Sequence, residues 1–230
     1  RFEHTAMTEG APVLSVRDLH FPALLPMTFD IRRGEIAFLR DENYNTGRRL
    51  HECFLGDRGW TSGFFRLNGR LYQPGDLGRV IGSEIGIQIE RPDRPGGVLF
   101  DNMTALDNLC TSLIPKAGQH IIRKKIVSSI LSEALRWFPK EMLLQPLSSW
   151  SYPERLRFSY YRWYLLNPRL LICFFPFAGQ ESTHHKMIID LLVLCAQRGM
   201  AVWIISSGID AICEKTDNEE FLRRLHYLNK

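Results

Sequence analysis

The stretch Leu170-Leu171-Ile172-Cys173-Phe174-Phe175, bounded by Pro168 and Pro176, decides the fold. Six apolar residues without alternation read as a strand buried on both faces, the mark of a parallel sheet covered by helices. Downstream, Met187, Ile188, Leu191, Leu192 and Cys195 recur at helical spacing, and Ala201-Val202-Trp203-Ile204-Ile205 is a second run of the same kind. Strand, helix and strand in this order form a right-handed βαβ unit. Upstream, a helix is expected over about 154–166. Before it, Ile121, Ile122, Ile126, Ile130, Leu131, Leu135 and Phe138 predict a long amphipathic helix that Pro139 ends.

The front of the chain has a different texture. Residues 13–16, 27–31 and 35–39 are strand-like, with Arg32-Arg33-Gly34 as a turn between the last two. Phe64-Phe65-Arg66-Leu67 alternates into Asn68-Gly69, a hairpin signal that implies an antiparallel layer. A short apolar strand at 86–90 runs into a loop rich in proline and glycine at 92–97. The expected class is therefore α/β, a parallel core sheet joined to an antiparallel β layer and a helical subdomain inserted at about 100–153. Residues 1–12 read as a linker from a preceding domain, and 13–230 as one unit.

Composition sets the outer bounds. A chain of 230 residues that is 45% hydrophobic and 23% charged buries a substantial core, which excludes disorder and a disulfide scaffold. Its longest apolar stretch, 170–178, is about half of the roughly 20 residues needed to span a bilayer. No signal peptide is read at the start, and an opening Arg1 points to an excised piece of something longer. The charge of +4 is scattered, so no nucleic-acid partner is expected, and Arg123-Lys124-Lys125 reads as a solvated helix face rather than a phosphate patch. Cys53, Cys110, Cys173, Cys195 and Cys213 contain no C-x-x-C pair, which indicates reduced thiols and a cytoplasmic setting. Adjacent His184 and His185 lack zinc-ligand spacing, and no metal site is expected.

The spelling of these elements resembles the nucleotide-binding domain of ABC transporters, specifically the C-terminal ATPase half of tandem importers of ribose and simple sugars. The resemblance runs over nearly the whole chain, within a P-loop NTPase-like fold. It rests on Gly34-Glu35-Ile36, Gly56, Ser62-Gly63, the hairpin Arg66-Leu67-Asn68-Gly69-Arg70, Asp93-Arg94, Asp107-Asn108-Leu109, Arg162-Trp163, Asn167-Pro168 and Ile205-Ser206-Ser207-Gly208.

The motifs that carry the family's chemistry depart from it. The resemblance places the phosphate loop at Asp41-Glu42-Asn43-Tyr44-Asn45-Thr46-Gly47-Arg48, where the family's three glycines are gone, its cation position is Gly47 and its hydroxyl position is Arg48. A carboxylate about 4 Å from a phosphate repels it by about 4 kcal/mol at an effective dielectric near 20, so Asp41 and Glu42 oppose ATP. A register slip of one residue makes Arg48 the cation, with Arg49 beside it, but supplies no hydroxyl for magnesium. The Walker B aspartate and glutamate stand as Phe174 and Phe175, which offer neither metal ligand nor base and are expected to extend the strand. Pro92 holds the Q-loop position, with Glu90 as a shifted substitute. The signature motif keeps Ser151 but continues Tyr152-Pro153-Glu154, its glycines lost. The D-loop corresponds to Gly179 and Glu181, and the switch position to Ser207. Phe21 could stack on adenine, though a core aromatic is the simpler role.

What the resemblance implies is a degenerate ATP-binding domain of a sugar-import-type system. It would act as a structural or regulatory partner of a second ABC ATPase domain and a membrane permease subunit, cytoplasmic and peripheral on the inner face of the membrane. Weak or no ATP binding, no hydrolysis and no cofactor are expected, with ATP and Mg2+ as ligands only if the substituted motifs still serve an active transporter ATPase. A third reading is a sensory or interaction module of a regulatory protein. Within the loop, the helix is expected to begin near Thr46, with Asp41 or Glu42 folding back to cap it.

Overall fold

The computed structural model describes residues 10–57, 59–90, 99–117, 124–178 and 182–228, and within these all side chains except those of 113–117, 124–126 and 182. The chain opens with β1 (Leu14–His20), β2 (Met27–Ile31) and β3 (Ile36–Arg40), followed by α1 (Asn45–Leu55) and the hairpin of β4 (Ser62–Leu67) and β5 (Arg70–Tyr72). A 3-10 turn at Pro74–Arg79 leads to β6 (Ile85–Ile89). Helices α2 (Ala105–Ala117), α3 (Lys124–Ala134), α4 (Lys140–Leu143) and α5 (Tyr152–Leu166) come next. The chain then alternates through β7 (Leu170–Phe174), α6 (Ser182–Gln197), β8 (Ala201–Ser206), α7 (Asp210–Cys213), α8 (Glu219–Arg224) and β9 (Leu225–Tyr227).

Two sheets result. The antiparallel one has the order β2-β1-β4-β5 and the parallel one the order β6-β7-β8-β3-β9. Every residue of β7 and β8 is buried, as their unbroken apolar runs require of central strands. Alternation then sorts their side chains between two cores. Leu170, Ile172 and Phe174 join Phe21, Phe54, Phe65 and Trp203 in the core toward the antiparallel sheet, while Leu171 and Cys173 join Leu156, Tyr160, Leu192 and Phe221 on the helical side. Phe21 is thus a core aromatic. A third cluster, with Leu109, Ile130, Phe138, Trp150, Phe158 and Tyr161, holds the helices between β6 and β7.

Local chemistry fixes the joints of the antiparallel layer. Asn68 and Gly69 both take positive φ, 49° and 78°, the backbone of a primed two-residue hairpin turn between Leu67 and Arg70. At Gly63, φ is +83° and a Cβ would stand 2.1 Å from the carbonyl oxygen of Asp18, so glycine is required where β4 crosses the irregularity in β1.

Two expectations are corrected here. The helix read as running to Phe138 ends at Ala134, because its bonds tighten to the third residue back, Arg136 N–H to the Glu133 carbonyl at 3.2 Å and Trp137 N–H to the Ala134 carbonyl at 3.0 Å, as the chain turns to bury Phe138 ahead of Pro139. Ile121 and Ile122 lie outside the described residues. The strand read as extending through Phe175 stops at Phe174, and Phe175 turns out of it with φ 52°. All five cysteines are free, and no helix among the described residues is long and apolar enough to cross a membrane.

Candidate functional site

The parallel strands deliver their carboxyl ends to one edge, the place where open α/β sheets carry ligands. There β3 ends at Arg40, and the Asp41 N–H donates to the Ser206 carbonyl at the end of β8, at 2.8 Å. The chain turns through Glu42 and Asn43 to Tyr44, which caps α1 with a left-handed backbone, φ 57°, and no side-chain hydrogen bond of its own. The first turn of α1 holds no acidic residue. Its free N–H groups are met instead from behind. Asp41 Oδ2 accepts from Gly47 N–H at 2.7 Å and Oδ1 from Thr46 N–H at 3.2 Å. The Asp41 residue is 5% exposed, so a buried carboxylate sits against the positive end of the helix and satisfies two of its orphan donors. Glu42 goes elsewhere, its carboxylate exposed and 3.5 Å from Arg40. Of the two acids expected to compete for this role, Asp41 takes it.

Phe175 closes the other side. Its N–H donates to the Ile205 carbonyl at 2.8 Å, and its ring reaches Gly47, where a Cβ would stand 2.7 Å from Cζ and 3.2 Å from Asp41 Oδ2. The Tyr44 ring covers it, centroid to centroid at 4.5 Å. Phe174 does not join them: it is buried in the core with its ring 5.7 Å from that of His51. Arg48 and Arg49 both pair with Glu52, at 4.0 and 3.2 Å, one turn along α1. The site is therefore a carboxylate and two aromatic rings gathered on the amino end of one helix.

Ser207 is exposed just beyond β8. The segment that carries it is tied down two ways, for Asp210 accepts from Arg40 Nη2 at 2.5 Å and from the Tyr227 hydroxyl at 3.0 Å. Burial, with the Asp210 carboxylate, pushes the Tyr227 phenol up.

The residues Ser151, Tyr152, Pro153 and Glu154 form the first turn of α5. Glu154 accepts from the Ser151 N–H at 2.8 Å and from its hydroxyl at 2.6 Å, and these bonds hold the Glu154 carboxyl below its usual range. The hydroxyl of Ser151 is spent inside the turn. Tyr152 lies against His184, ring centroids 5.6 Å apart, and Pro153 is tolerated because a first-turn N–H has no helical acceptor. Gly179, Glu181, Pro92, Asp93 and Arg94 lie outside the described residues.

One group escaped the sequence reading. Gln88, wholly buried on β6, donates to Glu90 at 2.7 Å and to Ser159 at 3.1 Å, and accepts from Trp163 Nε1 at 2.7 Å. Glu90 is buried too, and Tyr160 beside it has its phenol pushed well up by burial and by that carboxylate. The signal available was a lone amide in an otherwise apolar strand, which has to find partners once buried.

No family model matches the chain. It is 26% identical over 212 residues to a protein of Pseudomonas syringae pv. tomato assigned as a ribose/galactose/methyl galactoside import ATP-binding protein, a match to 90% of this chain and 40% of that one. The chain thus spans about two fifths of the length of these curated relatives. Among solved structures, CbiO1 of Clostridium perfringens, part of the ABC transporter complex CbiONQ, superposes with a TM-score of 0.72 at 20% identity, covering 95% of this chain and 85% of that one. The ATP-binding cassette MJ0796, dimeric in a post-hydrolysis state bound to ADP and Pi, gives 0.66 at 15% identity and 94% of both chains. The chain has the fold of an ABC nucleotide-binding domain, and its sequence likeness is to the sugar-import type.

Proposed function

We propose that this chain is a catalytically silent nucleotide-binding domain of a sugar-import-type ABC system, a structural or regulatory partner and not an ATPase. The observation that carries this reading is the Asp41 carboxylate on the N–H groups of Thr46 and Gly47. In the family, phosphate oxygens are held by backbone N–H groups of this loop. Here two such donors are satisfied internally by a group of the same charge sign, and a phosphate brought alongside is repelled.

The remaining residues do not fit ATP with Mg2+. Gly47 has no side chain to reach a phosphate, and Phe175 fills the space in which one would grow. Phe174, buried among apolar groups, offers no oxygen to a metal and no base to water. Loss of a general base alone removes about 10² to 10⁴ in rate. No catalytic step follows from such a set. The signature-like serine is engaged by its own Glu154, which leaves it poorly placed to grip a nucleotide held by a partner domain.

The partners in this reading are a second, active ABC ATPase domain and a membrane permease subunit, with the chain peripheral on the inner face of the membrane. The dimeric cassette MJ0796 and the complex that contains CbiO1 support it by fold likeness. The test is calorimetric titration of the purified chain with ATP, with and without Mg2+, alongside steady-state phosphate release. No saturable heat and no turnover are expected; turnover comparable with intact ABC ATPases overturns the proposal.

A further inference from the structure

The edge of the parallel sheet opposite the Asp41 loop, formed by the segments that lead into its strands, carries a second feature. The turn before β3 brings Arg33, the segment before β6 Glu84, the α5–β7 link Asn167 and Arg169, and the α6–β8 turn Arg198 and Gly199. They line one cleft of about 380 Å³, within the range that takes small molecules.

Its charge is lopsided, with three guanidinium groups against the single carboxylate of Glu84. No carboxylate among the described residues lies within ion-pair distance of Arg33, Arg169 or Arg198, whereas Arg17, Arg40, Arg155 and Arg224 elsewhere each have one. All three are exposed, and one of them is anchored. Arg198 donates to the Tyr164 carbonyl at 2.6 Å with its guanidinium over the Tyr164 ring. The Arg33 guanidinium packs against Gly199 in the α6–β8 turn, so close that a Cβ there, φ +90°, would stand 2.3 Å from its Nε. A planar guanidinium so anchored loses less freedom on binding an oxyanion, and its remaining N–H groups are available to it.

We infer that this cleft is a binding site for a small multiply charged anion of the phosphate class, with Arg33, Arg169 and Arg198 as its cations. Three guanidinium groups against one carboxylate call for more than one negative charge, which a diphosphate group supplies and the cleft has room to admit. The site is independent of the Asp41 loop and of the silence proposed for it.

The probe is inorganic pyrophosphate, titrated calorimetrically into the whole chain at low salt. Arg33→Gln and Arg169→Gln are each expected to weaken binding about tenfold, the effect of losing one charge-assisted hydrogen bond. Glu84→Gln, which removes the opposing charge, is expected to tighten it severalfold. Arg66→Gln, on β4 with its guanidinium over Phe64, and Arg48→Gln, beside the loop, are expected to change nothing. Absence of saturable binding overturns the inference. So does equal weakening by Arg66→Gln, which marks a nonspecific charge effect, or a drop in Arg48→Gln, which moves the anion to the loop. Preference for an oligoglutamate peptide over pyrophosphate also overturns it, because the cleft then serves an acidic protein segment.

Discussion

The Phe175 ring lies against the α-carbon of Gly47, so close that a Cβ at position 47 would stand 2.7 Å from its Cζ. By resemblance these are the positions of the general base and the phosphate cation. Their two departures are thus one contact. A side chain restored at 47 meets the ring at 175, and an acid restored at 175 leaves a gap over Gly47.

Gly47→Ala is expected to lower stability by about 1–3 kcal/mol through this overlap, a fall of about 2–4 °C in Tm for each kcal/mol in a chain of this size. Combined with Phe175→Ala, the loss should be smaller than the sum of the two single losses. A thermal-denaturation cycle in which the two effects simply add removes the claim of contact.

Asp41→Ala strips the cap from α1 and is expected to cost about 1–2 kcal/mol. It also frees the N–H groups of Thr46 and Gly47 for an external anion. Sulfate should therefore raise the Tm of the variant by more than that of the parent. Equal stabilisation of both proteins by sulfate counts against Asp41 as the resident anion.

Restoring the two acids, Phe174→Asp with Phe175→Glu, is expected to give no ATP turnover. Phe174 is 2% exposed in an apolar core, so an aspartate there is buried without a partner and destabilises the fold by about 3 kcal/mol or more. Phosphate release above background by a folded double variant contradicts the reading that the loop is lost as well.

The first turn of α5 makes a pH-dependent contribution. Because the folded Glu154 carboxyl lies below its unfolded value, its bonds to Ser151 are fully present at neutral pH and are lost as pH falls through the folded pKa. Glu154→Gln should lower Tm by about 1–4 °C at pH 7, with the difference shrinking toward zero well below the ordinary glutamate range. A difference that persists undiminished in acid shows that the bonds do not depend on the charge.

Much of the fold is legible in short-range patterns. The unbroken apolar runs in β7 and β8 announce central strands, and Asn68-Gly69 announces its hairpin, because burial and turn geometry act within a few residues. The start of α1 and a carboxylate folding back on it are legible for the same reason, since Asp41 and Gly47 lie close in the chain. That Asp41 and not Glu42 takes the role depends on Arg40, which engages Glu42 and is itself anchored by Asp210 far along the sequence. Phe175 looks like a continuation of the strand in sequence, because its apolarity says nothing of its partner. Its left-handed backbone and its ring against Tyr44 and Gly47 join distant segments, and only the assembled sheet, with β8 between β7 and β3, brings them together. Gln88 carries little signal in sequence, a single amide in an apolar run whose partners Trp163 and Ser159 come from α5.

The carboxylate on the helix amino end is also tethered by a loop of only a few residues. A tethered group competes as though present at an effective concentration of millimolar or more, whatever the composition of the surrounding solution. A dissolved phosphate has to outcompete a neighbour that never diffuses away. On the proposed reading, the occupancy of this end of α1 is set by the chain's own carboxylate and not by dissolved nucleotide. In the proposed pairing with an active ATPase domain, this half would then stay fixed while the other half cycles.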